Sequence, residues 1–302
     1  MKNSNSPTYC VFLICRNNED TLKKSLPIIL SQCRSKNIIA FDTQSEDNTK
    51  ALLKEVGIKV INIKKGEFNH GRTRNLSLKY SNAEIFIFLN GDAIPLDNWL
   101  DALLSGIEDC DAVFSKQIPS EDCDPLRFTD LVNHPYFRFS KVLKITSNSN
   151  LPVVFDTVSC AVRRATLQRI KFPTVPFGED YLWAELLINC GGTISYIPQS
   201  IVIHSHSIYT DTRKIIKRHF EEGRLKSHHK KEYGLRYTFG FIPSAFILDT
   251  ITLLTINIPM RNRVVWIMKE PFLRTIQLIS FHLGLNQERI PPLLKDMLSW
   301  SK

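Results

Sequence analysis

The chain has 302 residues, of which 43% are apolar and 23% are charged, and this excludes a disordered chain while leaving room for one large domain or two smaller ones. None of its seven cysteines forms a C-x-x-C pair, so neither a disulfide framework nor a zinc module is expected. The cysteines are expected to be reduced thiols. The net charge of +9 points to an anionic partner: nucleic acid, an acidic membrane or a phosphorylated substrate.

Short apolar segments alternate with helical patterns through the first part of the chain. The predicted strands are Tyr9–Cys15, Asn37–Phe41, Ile58–Ile63, Ile85–Leu89 and Ala112–Ser115. The predicted helices are Thr21–Ser31, Asn48–Val56, Arg72–Tyr80 and Leu96–Ile107. Alternation of this kind is typical of βαβ units, so we expect an α/β fold with a mostly parallel sheet.

The second half is less regular. After an irregular stretch, Lys116–Asn150, the sequence predicts further elements. These are a strand at Phe155–Ala161, helices at Arg164–Ile170 and from Phe177 to Asn189, strands at Ile194–Ile197 and Ile201–His204, and a basic helix at Asp211–Lys231.

The two ends of the chain differ in polarity. Residues 1–9 lack the apolar core of a signal peptide, so a cytoplasmic protein is expected. Near the other end, Asp249 is the only charged residue between Arg236 and Arg261, and Pro243 also interrupts this apolar stretch. The uninterrupted part is shorter than the ~20 residues of a spanning helix, so an interfacial or protein-packed helix is predicted, with a membrane span as the alternative.

Basic residues accompany this apolar stretch. Residues 226–302 contain eleven basic and five acidic side chains. Basic flanks beside apolar helices are typical of segments that bind an anionic membrane surface. We therefore predict two domains, residues 1–225 with the α/β fold and residues 226–302 as a helical, membrane-associating region.

Polar loops follow the predicted strands, where ligands bind in open α/β sheets. Arg16 follows the first strand, Asp42 the second and Asp92 the fourth. A carboxylate in such a position either accepts a hydrogen bond from a ligand or binds Mg²⁺ or Mn²⁺, which share their oxygen ligands with substrate phosphates. For Asp92 an Asx turn or a helix cap is the alternative.

The loop after the third strand combines glycine with two arginines. Gly71 permits close backbone approach, and Arg72 and Arg74 present guanidinium groups suited to a phosphate or carboxylate. In the alternative interpretation, Asn69 is an N-cap and both arginines lie on a solvated face.

Two further clusters occur in the second half. Glu179 and Asp180 begin a helix, where acids stabilise the dipole, and Asp180 is also a candidate general base. His204 and His206 alternate after a strand, so both rings would lie on one face, as a metal or phosphate contact or as ordinary core and surface residues.

Five motifs, in order, resemble the family 2 glycosyltransferases of GT-A fold, and in particular their bacterial rhamnosyltransferase-like branch. The resembling segments are Asp42-Thr-Gln-Ser-Glu-Asp-Asn-Thr49, Phe68-Asn-His-Gly-Arg-Thr-Arg-Asn75, Asn90-Gly-Asp-Ala-Ile-Pro95, Val175-Pro-Phe-Gly-Glu-Asp-Tyr-Leu-Trp183 and His204-Ser-His-Ser-Ile-Tyr209. The third segment differs from the family pattern, which often has Thr-Gln before the aspartate, so only Asp92 of a D-x-D motif is acidic here.

The resemblance implies a role for each matching residue. Asp42 would contact the nucleobase and Arg74 the nucleotide. Arg16, Asn69 and Arg72 are further candidates for donor binding, from their positions in the loops after the strands. Asp92, together with His204 or His206, would hold Mg²⁺ or Mn²⁺ on the diphosphate. Asp180 would be the catalytic base of an inverting displacement, with Glu179 as its neighbour in the motif.

The resulting hypothesis is an inverting GT-A glycosyltransferase that moves a sugar, with L-rhamnose from dTDP-rhamnose favoured, to a cell-envelope glycan. The acceptor would be lipid-linked and the enzyme peripheral at the cytoplasmic membrane face. One rival is a sugar-phosphate nucleotidyltransferase, which would need a glycine-rich loop with lysine that residues 16–20 lack. The others are an inactive or lectin-like nucleotide-sugar binder and a nucleic-acid-binding protein, which the position of the basic residues disfavours.

Overall fold

The computed structural model of the protein describes residues 7–228, 233 and 235–300. Within them, nine strands form one sheet in the order β3-β2-β1-β4-β8-β6-β9-β5, with β7 beside β9. The strands are β1 (Tyr9–Cys15), β2 (Ile38–Asp42), β3 (Lys59–Asn62), β4 (Ile85–Asn90), β5 (Ile94–Pro95), β6 (Ala112–Ile118), β7 (Leu143–Ile145), β8 (Ser159–Arg163) and β9 (Ile194–Ile203).

Helices connect these strands and continue beyond them. They are α1 (Glu19–Gln32), α2 (Thr49–Glu55), α3 (His70–Asn75), α4 (Ser77–Tyr80), α5 (Trp99–Gly106), α6 (Pro125–Val132), α7 (Arg164–Arg169), α8 (Glu179–Asn189), α9 (Thr212–Leu225), α10 (Leu235–Thr255), α11 (Met260–Leu285) and α12 (Pro292–Leu298). Strands β1 to β4 pair in parallel, which confirms the α/β expectation, while β8 runs antiparallel to β4 and β6.

The centre of the sheet is buried on both faces. Along β1, Val11 and Leu13 pack into the cluster that α1 and α5 cover. On the opposite face the Phe12 ring stacks on Phe41 at 5.6 Å between centroids and meets Phe86 edge-on at 5.2 Å. Alternating side chains of a strand fill both layers, which explains why the segment is apolar throughout instead of alternating with polar residues.

Several predicted elements differ from the observed ones. The two predicted strands near the end of the sheet are one strand, β9, whose pairing with β6 shifts between Ser115 and Lys116, opposite residues 197–201. Pro198 lies in this interval and has no N–H to donate, so the ladder is interrupted there. The predicted helix at 72–80 is two short helices, α3 and α4, and β8 begins four residues later than the predicted strand.

The chain divides into two compact units. Within the described residues, unit 1 comprises 7–118, 135–175 and 179–204, and unit 2 comprises 119–134, 176–178 and the described residues from 205 to 300. Unit 1 contains the sheet. Unit 2 has its own core, formed by Leu126, Ile208, Tyr209, Ile215, Leu253 and Leu273. The predicted boundary after residue 225 lies within unit 2, and the division into 1–225 and 226–302 stays a prediction.

The C-terminal part of unit 2 is helical. Helix α9 covers Thr212–Leu225 of the predicted basic helix Asp211–Lys231 and ends before residues 226–228. Residues 229–231 of that prediction lie outside the described residues, as do residues 1–6 of the predicted polar N-terminus. Helix α10 includes Pro243 and α11 includes Pro271. In the described part of the chain, no helix combines the length and the apolar character that crossing a bilayer requires.

Candidate active site

A cleft lies at the carboxyl ends of β1, β2 and β4 in unit 1. In the parallel register Cys15 pairs with Asp42 and Ile14 with Asn90, so the loops that follow these strands lie side by side. The cleft has a volume of about 210 Å³. Its lining residues are Ile14, Cys15, Arg16, Asn18, Thr43, Phe68, His70, Asn90 and Asp92. Two residues singled out from the sequence, Arg16 and Asp92, are therefore part of its wall.

Hydrogen bonds hold the loop after β1 against the loop after β2 and the first residue of α2. The Asn17 backbone N–H donates to Ser45 Oγ at 2.9 Å, and the Asn18 N–H donates to Thr49 Oγ1 at 2.7 Å. The backbone after β4 also approaches closely, because a Cβ on Gly91 would lie 2.6 Å from Asn18 Oδ1. A larger residue at this position would therefore require the side chains of Asn18 and Cys15 to shift.

Asp42 is buried next to the cleft but does not line it. Its side chain is fully buried and accepts hydrogen bonds from the backbone N–H of Ser45, at 3.1 Å, and from the Ser45 hydroxyl. Thr43, the next residue, lines the cleft. The observed contacts of Asp42 therefore fix the loop that follows β2, and its contact with a nucleobase stays a prediction.

Asn69 is the N-cap of α3. Its Oδ1 accepts from the Arg72 backbone N–H at 3.0 Å, and its Nδ2 donates to the Val175 carbonyl at 2.7 Å. A Cβ on Gly71 would lie 2.2 Å from the Pro173 carbonyl oxygen, so only glycine allows this approach. Asn69 and Gly71 together hold α3 against the segment that precedes α8.

The two arginines of α3 point to different environments. They are two positions apart, or about 200° around a helix, and Arg72 is exposed while Arg74 is only 1% exposed. Arg74 Nη1 donates to Glu179 Oε1 at 2.7 Å, and Nη2 donates to the Thr157 carbonyl at 3.2 Å and approaches Asn90 Oδ1 at 3.4 Å. Arg74 therefore connects Asn90, in the cleft wall, to Glu179 at the start of α8.

Asp180 follows this buried ion pair in the first turn of α8. Its Oδ1 accepts from the Tyr181 backbone N–H at 2.8 Å. Burial, followed by repulsion from Glu179 and Asp156, raises the pKa of Asp180 to about 7. A carboxyl group with this pKa can accept and release a proton near neutral pH, as a general base requires.

Asp92 and His204 come together in unit 1. Asp92 Oδ1 lies 3.6 Å from Nε2 of His204, which is buried, and His204 Nδ1 lies 2.8 Å from Gln117 Oε1. His206 is exposed and lies two residues beyond His204, in the part of the chain that belongs to unit 2. An aspartate oxygen and an imidazole nitrogen are ligands that Mn²⁺ and related divalent cations accept.

Phe68 and His70 are cleft residues that the sequence interpretation did not select. Their rings meet edge-on with 4.8 Å between centroids. His70 is exposed overall, but desolvation of its ring, together with the positive charge of Arg74, lowers its pKa. Both residues belong to the Phe68–Asn75 motif, and their place in the polar loop that follows a strand was the signal that could have identified them.

Comparison with known proteins identifies relatives of this chain. Residues 10–170 match the family model described as glycosyl transferase family 2. The chain is 27% identical over 276 residues to the O-antigen chain rhamnosyltransferase RfbN of Salmonella typhimurium strain LT2, covering 84% of this chain and 82% of the relative. It is 28% identical over 269 residues to the O-antigen chain rhamnosyltransferase WbaN of Salmonella anatum, covering 84% and 81%.

Solved structures with a similar fold have lower sequence identity. The mannosyltransferase PcManGT from Pyrobaculum calidifontis, in complex with GDP-Man and Mn²⁺, has a TM-score of 0.56 at 14% sequence identity. The match covers 95% of this chain and 89% of the PcManGT chain. S. aureus TarS 1–349 in complex with UDP has a TM-score of 0.55 at 16% identity, covering 93% and 91%.

Proposed function

The chain belongs to glycosyl transferase family 2 and has the GT-A fold, and on this premise we propose that it is an inverting rhamnosyltransferase. The donor is a nucleotide-diphosphate sugar, with dTDP-L-rhamnose favoured, and the acceptor is a cell-envelope glycan. The names of the two Salmonella relatives support the sugar and the class of acceptor. The observation that carries the mechanism is the contact chain from the cleft wall through Arg74 and Glu179 to Asp180.

The donor nucleotide binds in the cleft at the ends of β1, β2 and β4. Arg16 lines the cleft and provides positive charge for the diphosphate, and Arg72 is exposed on α3 and can add a second guanidinium. Asn69 and Asp42 contribute to donor binding from the loops in which their side chains are hydrogen-bonded. Arg74 holds Asn90 and Glu179 in place, so we assign its contribution to the shape of the donor site.

Asp92 and His204 fit a divalent cation, Mg²⁺ or Mn²⁺. The carboxylate oxygen and the ring nitrogen face each other at 3.6 Å, and their donor types match such an ion. We propose His206, two residues from His204, as an additional ligand. A bound cation supplies positive charge to the leaving diphosphate. PcManGT, whose structure contains Mn²⁺ and GDP-Man, supports this assignment through its common fold.

Asp180 removes the proton from the acceptor hydroxyl. The acceptor oxygen forms a bond to the anomeric carbon while the bond from that carbon to the diphosphate breaks, so one displacement inverts the configuration. The pKa of Asp180, raised to about 7 by burial and by Glu179, matches it to this proton transfer at neutral pH. Glu179 is paired with Arg74 and positions the start of α8.

A panel of nucleotide sugars tests the donor assignment. We expect dTDP-rhamnose with Mn²⁺ to raise the melting temperature, because a ligand that binds only the folded state stabilises it by about 2.7 kcal/mol at 100 times its Kd. UDP-glucose and GDP-mannose at equal concentration serve as controls. A larger shift with either of them, or turnover of either in place of dTDP-rhamnose, would overturn the choice of donor.

A lipid-linked acceptor requires the enzyme at the membrane, and unit 2 contains a surface suited to it. We define the apolar surface as the exposed apolar side chains of α10 and α11. They are Phe246, Ile247, Leu248, Ile251, Leu254, Met260, Val264, Val265, Met268, Phe272 and Ile279. Those on α11 fall within an arc of about 140° at 100° per residue, so they form one stripe along the helix.

The charges around the apolar surface favour an anionic bilayer as its partner. Across residues 243–285 both acidic side chains, Asp249 and Glu270, are buried, at 3% and 0% exposure. Arg261 and Lys269 are exposed on α11. Apolar side chains next to exposed cations are the pattern of helices that lie in the membrane interface. We propose that the enzyme is peripheral at the cytoplasmic face of the membrane.

Liposome flotation tests this membrane contact. Met268→Asp combined with Phe272→Asp should weaken binding to anionic vesicles by tenfold or more, because each buried side chain of this size contributes roughly 1.5–3 kcal/mol. Val142→Asp, which places the same charge on an exposed apolar residue of unit 1, is the control. Unchanged flotation of the double variant would contradict the proposed surface, and equal binding to neutral vesicles would contradict the role of the charges.

A further inference from the structure

Gln117 lies between His204 and Asp156 in unit 1. It is 3% exposed and occupies β6. Its Oε1 is 2.8 Å from His204 Nδ1, and its Nε2 donates to Asp156 Oδ2. The second oxygen of Asp156, Oδ1, accepts from the Val158 backbone N–H at 2.8 Å. These contacts form a continuous hydrogen-bonded row from a backbone amide to the imidazole.

The chemistry of this row fixes the direction of every bond in it. An ionised carboxylate only accepts hydrogen bonds, so the amide nitrogen of Gln117 faces Asp156 and its oxygen faces His204. An amide oxygen also only accepts, so Nδ1 of His204 is the donor and carries the hydrogen. In a neutral imidazole the lone pair is then on Nε2, the nitrogen that lies 3.6 Å from Asp92 Oδ1.

We propose that Asp156 and Gln117 are positioning residues that hold His204 in its Nδ1–H tautomer and so present the Nε2 lone pair, beside Asp92, to a divalent cation. This inference rests on the metal site of the proposed function. It extends that function to two residues outside the motifs. Hydrogen bonds from a metal-binding histidine to such partners fix both the ring orientation and the tautomer.

Asp156→Asn tests the direction of the row with an almost isosteric change. The new amide side chain would still accept from Val158 N–H through its oxygen and would then direct its NH₂ group at Gln117. The Gln117 amide would rotate, its NH₂ group would face Nδ1 of His204, and the ring hydrogen would move to Nε2. We expect the tautomer to switch and the affinity for Mn²⁺ to fall about tenfold or more.

Two readouts make the test independent of activity. The tautomer is measured in metal-free protein from the ¹⁵N shifts of labelled histidine, with the His204 signals assigned by comparison with His204→Gln. Mn²⁺ affinity is measured by electron paramagnetic resonance without donor. An Nδ1–H tautomer retained in Asp156→Asn would overturn the positioning role.

A second variant restores the row without restoring the original residues. In Asp156→Asn combined with Gln117→Glu, the new carboxylate accepts both from the new amide at position 156 and from His204 Nδ1, and the net charge equals that of the wild type. We expect the tautomer and the Mn²⁺ affinity to return to wild-type values. If only the lost charge of Asp156 mattered, the single variant would lose affinity without a change of tautomer, and this would overturn the inference.

Ser115→Ala is the matched control. Ser115 is buried two residues earlier on β6 and bonds to Ser159 and Ser200 at 2.7 Å, so the change removes buried hydrogen bonds from the same strand. In Ser115→Ala, the tautomer of His204 and the affinity for Mn²⁺ should equal those of the wild type. A different result would overturn the metal site of the proposed function, and with it the purpose of the row: the tautomer switches in Asp156→Asn, but the wild-type protein binds no Mn²⁺.

Discussion

Asp180→Asn is expected to lower kcat by roughly 10²–10⁴-fold, the range that general base catalysis contributes. The amide has almost the same shape but cannot take a proton from the acceptor hydroxyl. Its Oδ1 can still accept from the Tyr181 backbone N–H, so the start of α8 should be retained. Stopped assays of sugar transfer measure kcat, and calorimetry with the donor should give an unchanged affinity.

The matched control for this change is Glu185→Gln. Glu185 lies on the same helix and accepts a hydrogen bond from the Tyr181 hydroxyl, so it tests a carboxylate-to-amide change away from the Arg74–Glu179 pair. We expect kcat within about threefold of the wild type. Transfer by Asp180→Asn at a rate similar to that of the control would contradict the assignment of the base.

The same assignment predicts the pH profile. The base must be ionised, and the pKa of Asp180 is raised to about 7 by burial and by Glu179. The value of kcat/KM should therefore fall as the pH drops below about 7, because the protonated fraction of Asp180 grows. Asp180→Asn should lose this acidic limb in its residual activity, and Glu185→Gln should keep it.

Arg74→Met is expected to cost about 3–5 kcal/mol of the free energy of unfolding, because it leaves Glu179 buried without its counter-ion. Both side chains are almost fully buried, and their shortest N–O distance is 2.7 Å. The carbonyl of Thr157 would also lose its donor. Urea unfolding measures the loss.

Two variants identify the cause of this destabilisation. Arg74→Met combined with Glu179→Met should be more stable than Arg74→Met alone, because the double change removes both buried charges. Arg72→Met, on the exposed side of α3, should change the free energy of unfolding by no more than about 0.5 kcal/mol. If Arg74→Met and Arg72→Met unfolded at the same urea concentration, the structural role of the buried pair would be wrong.

The local pattern of apolar residues was sufficient to predict the buried parallel strands of the fold. Strand β1 has its predicted bounds, and β2 and β4 lie within one residue of theirs, because uninterrupted apolar segments of this length form strands with both faces covered. Strand β5 was not predicted because it has only two residues. The start of β8 was predicted four residues too early because residues 155–158 resemble a strand in sequence. In the structure they form loop contacts, such as the hydrogen bond between Asp156 and Val158.

The motifs located the site, but contacts between distant residues determine what each side chain does. Arg74 and Glu179 are 105 residues apart, and neither the glycine at 71 nor the charge pattern indicates that they pair. Helical spacing would have shown that Arg72 and Arg74 face apart, although it could not have shown which one is buried. The Phe68–His70 ring contact and the row through Gln117 likewise depend on packing.

The amino-acid sequence by itself determined the family, the α/β class, the strand ends at which the cleft forms and the basic, apolar character of the C-terminal helices. These properties follow from local periodicity and from motifs whose residues are close in the chain. Only the tertiary structure decided that Asp42 and Arg74 are buried, that Asp92 meets His204, and that the acidic residues beside the apolar surface are hidden. Burial and hydrogen-bond direction depend on neighbours from other strands and helices, which no single segment specifies.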